Sequence, residues 1–229
     1  MAALELDLTR TGILFDSDGV LVDSDATVER AWTTWAEHYG LEPSAVLRKV
    51  HGHPARETVA ELLDPPHRAD ALALVNRLEL QEAASVRAMP GAVELLASLP
   101  SSTWAVVTSG IGALARARLE AAGFPSIGHL VTADDVARGK PEPEPYLAGA
   151  RALGIPAERC VVFEDAVVGV LAARAAGVLA VVAVGRETAT ADVDAFVPDL
   201  SAVRYDGMLH VPDGRPGRAT GSRTGGARE

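Results

Sequence analysis

Residues Phe15 to Ser24, FDSDGVLVDS, place Asp16, Asp18 and Asp23 directly behind the apolar run GILF. Carboxylates repel one another and are costly to bury. A run of this kind at the end of a buried strand therefore needs a compensating partner: a metal, a lysine or water. Further along, WAVV is followed by Thr108 and Ser109, CVVF by Glu164 and Asp165, and the loop RGKPEPEPYL carries Lys140. If the apolar runs are strands of one parallel sheet, all these residues reach its carboxyl edge, where such sheets bind ligands.

Several carboxylates, one ammonium and two hydroxyls make a mixed site rather than a solvated acidic surface. Aspartate and glutamate oxygens are hard ligands suited to Mg2+, which uses few protein carboxylates and keeps an open face for an anionic oxygen. Phosphate is the obvious anion. Lys140 is placed to neutralise one phosphoryl oxygen, and Thr108, with backbone donors near Ser109 and Gly110, to hold another. Two aspartates separated by one residue can divide the labour of phosphoryl transfer. Asp16 would attack phosphorus to form an aspartyl phosphate. Asp18 would protonate the leaving oxygen and then deprotonate the water that cleaves the intermediate. Gly19 lets the chain turn with no side chain blocking the site, and Asp23 belongs to the turn beyond.

Each piece alone has a plainer reading. Aspartates are common in loops after strands, Thr108 and Ser109 resemble a helix N-cap, Glu164 and Asp165 pass for cap residues, and Lys140 for a solvated charge. Their placement, in chain order at successive strand ends, is what separate causes do not explain.

The elements that must hold these residues are legible as alternation. Apolar runs ending at Phe15, Val107, Val131, Phe163 and Val184 are separated by AVELLASL, IGALARARLEAAG, EPYLAGARALG and AVVGVLAARAAG, each with helical spacing. This predicts an α/β fold, a doubly wound parallel sheet of Rossmann-like type, over residues 1–24 and 88–206. Residues 25–87 contain no strand pattern and predict an all-helical cap inserted after the first strand. Its first helix carries Val28, Ala31, Trp32, Trp35 and Tyr39 on one face, a stripe that reads as core packing. From residue 207 to 229, Gly, Pro, Arg, Ser and Thr crowd out apolar residues, and a disordered tail is expected.

Composition narrows the function classes. The chain has 229 residues, 48% of them apolar, and a formal charge of −10, which opposes binding to nucleic acid or an anionic membrane. Cys160 is the single cysteine, which rules out an internal disulfide or a cysteine zinc cluster. The start, MAALELDLTR, lacks a basic region followed by an apolar run, and no transmembrane helix is expected, so the expected address is cytoplasmic and the expected state a monomer or weak homo-oligomer. Lys49 and Lys140 are the only lysines beside nineteen arginines. An arginine cannot imitate a compact ammonium at a tight site, which draws attention to both.

FDSDGVLVDS, VVTSG, GKPEPEPY and VVFEDAVVGVLAARAAG together resemble the four motifs of the haloacid dehalogenase-like superfamily of phosphohydrolases, over roughly residues 10 to 200. The resemblance implies Asp16 as nucleophile, Asp18 as general acid and base, and Thr108 and Lys140 as holders of the phosphoryl group. It implies Mg2+ on Asp16, the Asp18 backbone carbonyl and Asp165, with Glu164 supporting the metal through water. The helical insert then corresponds to the family's cap, which selects the substrate. VDSDATVERAWTTWAEHYG and VHGHPARET are similar to bacterial sugar and sugar-alcohol phosphatases, making a small phosphorylated metabolite the implied partner and His51, His53 and Arg56 candidate substrate contacts. Glycerol phosphate and phosphoglycolate phosphatases are neighbouring readings. β-Phosphoglucomutases of this type carry a histidine where this chain has Val28, and haloacid dehalogenases lack the second aspartate. A phospho-acceptor signalling domain shares the aspartates, hydroxyl, lysine and Mg2+, but not the helical insert or Asp18.

Overall fold

The computed structural model describes residues 2–50, 52–124, 127–185 and 192–214. Strand β1 (Ala2–Leu6) precedes β2 (Gly12–Phe15), and β3 (Val22–Asp23) leads into helices α1 (Asp25–His38), α2 (Pro43–Leu47), α3 (Ala55–Leu62) and α4 (Arg68–Glu82). The chain returns through β4 (Arg87–Ala88). It then alternates α5 (Ala92–Ser98), β5 (Trp104–Val107), α6 (Gly112–Ala121), β6 (Leu130–Val131), α7 (Glu144–Leu153), β7 (Cys160–Glu164), α8 (Val167–Ala175) and β8 (Ala180–Val184). Three further strands follow: β9 (Ala195–Val197), β10 (Arg204–Tyr205) and β11 (Leu209–Pro212).

Six strands form one sheet in the order β6-β5-β2-β7-β8-β9, and every neighbouring pair in it is parallel. The order places β2 at the centre, between β5 and β7, so Asp16, Thr108 and Glu164 emerge on three adjacent strands. Successive side chains of a strand point to opposite faces, and each face here has its own core. Ile13, Phe15, Val161 and Phe163 pack with Leu95, Leu96 and Leu119 on one side. Leu14, Val162 and Val181 pack with Tyr146, Ala150 and Val170 on the other. Burial on both faces explains why these strands read as continuous apolar runs.

Among the described residues, the segment between β3 and β4 holds helices joined by loops and no strand, with short 3₁₀ turns at Pro65–His67 and Ala83–Ser85. This small helical cap has its own core, in which Val28, Trp32 and Trp35 of α1 meet Val46, Val59, Ala71 and Val75. The Trp35 indole donates to the Ala71 carbonyl at 2.9 Å, joining α1 to α4. The two-stranded ribbon of β3 and β4 brings both ends of the insert together beside the site.

The tail expected from residue 207 is corrected in part. Leu209 and Val211 are fully buried against the main core, and β11 pairs with both β1 and β10 in an antiparallel sheet. Two alternating apolar residues suffice to seat this strand, although Gly, Pro and Arg around them dilute its pattern. Residues 215–229 lie outside the described residues. No helix among the described residues is long and apolar enough to cross a membrane.

Candidate active site

Asp16 begins where β2 ends, and its backbone N–H donates to the Phe163 carbonyl at 3.0 Å. Its carboxylate is held from below by Lys140, whose Nζ donates to Asp16 Oδ1 at 2.7 Å and to Glu164 Oε2 at 2.8 Å. Lys140 is 1% exposed. Burial pulls its pKa down, but Asp16 and Glu164 overcome that and hold the ammonium above the ordinary lysine value. The Tyr146 hydroxyl of α7 also donates to Glu164 Oε2, while Glu164 Oε1 accepts from the Ala166 N–H at 3.1 Å. Both oxygens of this fully buried carboxylate are therefore occupied. Helix α8 can approach so closely because residue 169 is glycine: a Cβ there would lie 2.0 Å from Glu164 Cδ.

Asp16, Glu164 and Asp165 each offer an oxygen within 4.8 Å of the others. Three carboxylates face a single ammonium, so the cluster lacks positive charge. Burial first, and Glu164 second, push Asp16 up to about 8 and raise Asp165 well above the usual carboxylate range. A hard divalent cation fits this donor set and its charge deficit. Gly19 supports the arrangement from the loop, since its φ is +77° and a Cβ there would lie 2.0 Å from Asp165 Oδ2.

Asp18 is held differently. Its Oδ1 accepts from Ser24 Oγ at 2.6 Å and from the Arg118 guanidinium at 2.8 Å. Arg118 rises from α6 and also donates to Glu79 Oε1 of α4 at 3.4 Å, linking the acid/base candidate to the cap. Tyr146, Arg118 and Glu79 are absent from the sequence-based candidates, yet two carried a signal. Arg118 shares the buried face of α6 with Leu114, Ala115 and Leu119, and Glu79 that of α4 with Ala71 and Val75. A charged residue at a core-facing position of an amphipathic helix needs a partner.

A cavity of about 250 Å3 lies between cap and sheet edge, lined by Asp16, Asp18, Ser109, Arg118 and Asp165 from the core and by Trp32, His53, Asn76 and Glu79 from the cap. Thr108 and Lys140 lie behind this lining. Thr108 Oγ1 accepts from the Gly110 N–H at 3.0 Å, fixing the loop that presents Ser109 and Gly110. Ser109 Oγ donates to the Gly52 carbonyl of the cap at 2.9 Å. Arg56 lines the cavity, but its guanidinium donates to the carbonyls of Ala133, Val136 and Ala137. His51 lies outside the described residues.

The model of the haloacid dehalogenase-like hydrolases matches residues 11–177, from the first residue before β2 to the end of the α8 turn. The chain belongs to the haloacid dehalogenase-like hydrolases. Among family relatives, hexitol phosphatase A of Escherichia coli (strain K12) is 47% identical over 72% of this chain and 79% of its own length. Validoxylamine A 7'-phosphate phosphatase of Streptomyces hygroscopicus subsp. limoneus is 36% identical over 84% of this chain and 95% of its own. The crystal structure of β-phosphoglucomutase from Clostridium difficile aligns with a TM-score of 0.75 over 86% of this chain and 94% of that one, at 20% identity, a likeness of fold. Both of these relatives are named as phosphatases, and phosphoryl transfer is chemistry that the strand-end residues of this hydrolase suit.

Proposed function

We propose that this hydrolase is a Mg2+-dependent phosphatase of a small phosphorylated sugar or sugar alcohol, such as a hexitol or hexose phosphate, working through an aspartyl phosphate on Asp16. The observation that carries the reading is the pairing of Asp16 and Asp18 at one cavity, the first backed by Lys140 and the second turned towards the cap by Arg118 and Ser24. The 47% identity to a hexitol phosphatase supports the substrate class.

Mg2+ would be held by Asp16, Asp165 and the Asp18 backbone carbonyl, with Glu164 behind them, and would neutralise charge on the phosphoryl oxygens. The chain's own residues do the rest. An Asp16 oxygen attacks phosphorus as the bond to the leaving oxygen breaks, and Asp18 gives its proton to that oxygen. Once the alcohol departs, Asp18 takes a proton from water, the water oxygen attacks phosphorus, and the bond to Asp16 breaks to release phosphate. Lys140 keeps Asp16 oriented and favours its charged form, and the Thr108 to Gly110 loop supplies donors to the phosphoryl group. The cap excludes bulk water during the first step.

Against the mutase reading, Val28 lines the cavity and provides no proton carrier on the cap side. The deciding experiment is a phosphate-release panel with Mg2+ over mannitol 1-phosphate, sorbitol 6-phosphate, hexose phosphates, glycerol phosphate and phosphoglycolate, with Asp16→Asn as blank. Multiple turnovers on polyol or sugar monophosphates, absent in the blank, are expected. Normal turnover by Asp16→Asn would remove the nucleophile, and a long-lived phosphoprotein without turnover would favour a signalling domain.

A further inference from the structure

The part of the cavity away from Asp16 holds polar groups that the phosphoryl chemistry leaves unused. Asn76 and Glu79 stand three residues apart on α4, hence on one helix face, and both line the cavity. Glu79 is in contact with Arg118, and Arg118 with Asp18. The leaving oxygen must lie beside Asp18 to receive its proton. Past Arg118 the cavity lining continues to Glu79 and Asn76, which gives the body of the leaving group room to extend that way.

These side chains carry open hydrogen-bonding capacity. Arg118 is 3% exposed, and among the described residues its Nε has no hydrogen-bond partner. The half-buried Asn76 amide is without a hydrogen bond among the described residues. An apolar seam would join cap to core at lower cost than a buried Glu–Arg pair, and unmet buried donors call for a partner. A hydroxyl both donates and accepts, so a polyol chain can satisfy a carboxylate, a guanidinium and an amide together.

Charge selects which polyol. Asp16, Asp18, Asp25, Glu79, Asp134 and Asp165 line the cavity, opposed by Arg56 and Arg118. Arg118 is engaged by two carboxylates and Arg56 by three carbonyls. Among the described residues, no further lysine or arginine lines it. A second phosphate or a carboxylate on the leaving group would thus meet Glu79 where both lining arginines are already engaged and, among the described lining residues, only His53 can still gain a positive charge, which is specificity by repulsion.

We propose that Asn76, Glu79 and Arg118 form the leaving-group subsite, shaped for an uncharged polyhydroxyl chain and closed to a second anionic group. This rests on the phosphatase reading above.

The test compares kcat/KM for sorbitol 6-phosphate, phenyl phosphate, phosphoglycolate and fructose 1,6-bisphosphate in saturating Mg2+, for wild type, Asn76→Ala and Glu79→Gln. Phenyl phosphate has a neutral leaving group without aliphatic hydroxyls. The ratio of sorbitol 6-phosphate to phenyl phosphate should fall about 10-fold in Asn76→Ala, the worth of one or two hydrogen bonds. Wild type should disfavour phosphoglycolate and the bisphosphate by about 10²-fold against sorbitol 6-phosphate, and Glu79→Gln should narrow that gap about 10-fold. Ratios taken on one preparation are unaffected by partial misfolding of a variant. An unchanged ratio in Asn76→Ala, or equal use of the bisphosphate, beside brisk wild-type turnover would overturn the subsite alone. A wild type inert on every ester would overturn the phosphatase reading and the subsite together.

Discussion

Lys140 Nζ lies 2.7 Å from Asp16 Oδ1, and the same ammonium, almost wholly buried, also binds Glu164 at 2.8 Å. One compact cation thus fixes a candidate nucleophile and a buried carboxylate at once. Lys140→Arg retains charge but replaces a point donor by a planar fork that does not fit between the two oxygens. Misplacing a nucleophile by about 1 Å costs on the order of 10²-fold in rate, and a loss of kcat of that size is expected. Lys140→Met should in addition destabilise by about 3–5 kcal/mol, because two buried carboxylates lose their partner. Denaturant titration reads the second effect, and near-normal kcat in Lys140→Arg would refute the first.

Cation dependence should appear in stability as well as rate. Asp16 is raised from 3.8 to about 8 without a metal, so the folded chain keeps a proton that the unfolded chain releases near pH 4. Between those values the unfolded state binds fewer protons, and this group's contribution to stability falls as pH rises. A cation that binds the folded carboxylates removes the loss. The rise in Tm on adding Mg2+ to chelator-treated protein is therefore expected to grow from pH 5 to pH 8, as scanning calorimetry would show; an equal rise at both ends would count against this cluster as the binding site.

Gly19→Ala tests the support of Asp165. The substitution forces a non-glycine residue to φ +77° and drives its Cβ onto Asp165 Oδ2. A cost of about 1–3 kcal/mol is expected from the backbone. Mg2+ affinity should fall about 10- to 100-fold, since Asp165 must move. Calorimetric titration with Mg2+ would show either the weakening or, against this account, unchanged affinity.

How far such a site can be read in advance depends on the range of the interactions that make it. The strands around Phe15, Val107 and Phe163 announce themselves, because a sheet buried on both faces requires unbroken apolar runs. The catalytic candidates sit at their ends for a topological reason that the alternation of elements already contains. By contrast, Arg118 reaches Asp18 across 100 residues and Glu79 across 39. Helical periodicity shows that each is buried but not which charge meets which. Tyr146 looks like any aromatic core residue, and only the fold turns its hydroxyl to Glu164. Likewise β11 is two apolar residues in a polar setting, and its place is decided by β1 at the other end of the chain.

Arg56 reads in sequence as a substrate contact, yet its geometry is that of a clasp. At the start of α3 it binds the carbonyls of Ala133, Val136 and Ala137 at 2.6, 3.3 and 3.3 Å. Next to it, Glu57 Oε1 accepts from the Gly139 N–H at 3.2 Å. Both residues tack the cap to the loop that leads into Lys140. A clasp and a specificity residue fail differently. If the cap must rest on this loop for turnover, Arg56→Ala lowers the competent fraction for every substrate alike. A fall of about 10-fold in kcat/KM is expected, equal for phenyl phosphate and for sorbitol 6-phosphate, with the ratio between them preserved. Arg56→Lys should recover little, since one ammonium cannot span carbonyls of residues 133 and 137 together. A selective loss on the polyol ester would instead return Arg56 to the substrate-binding surface.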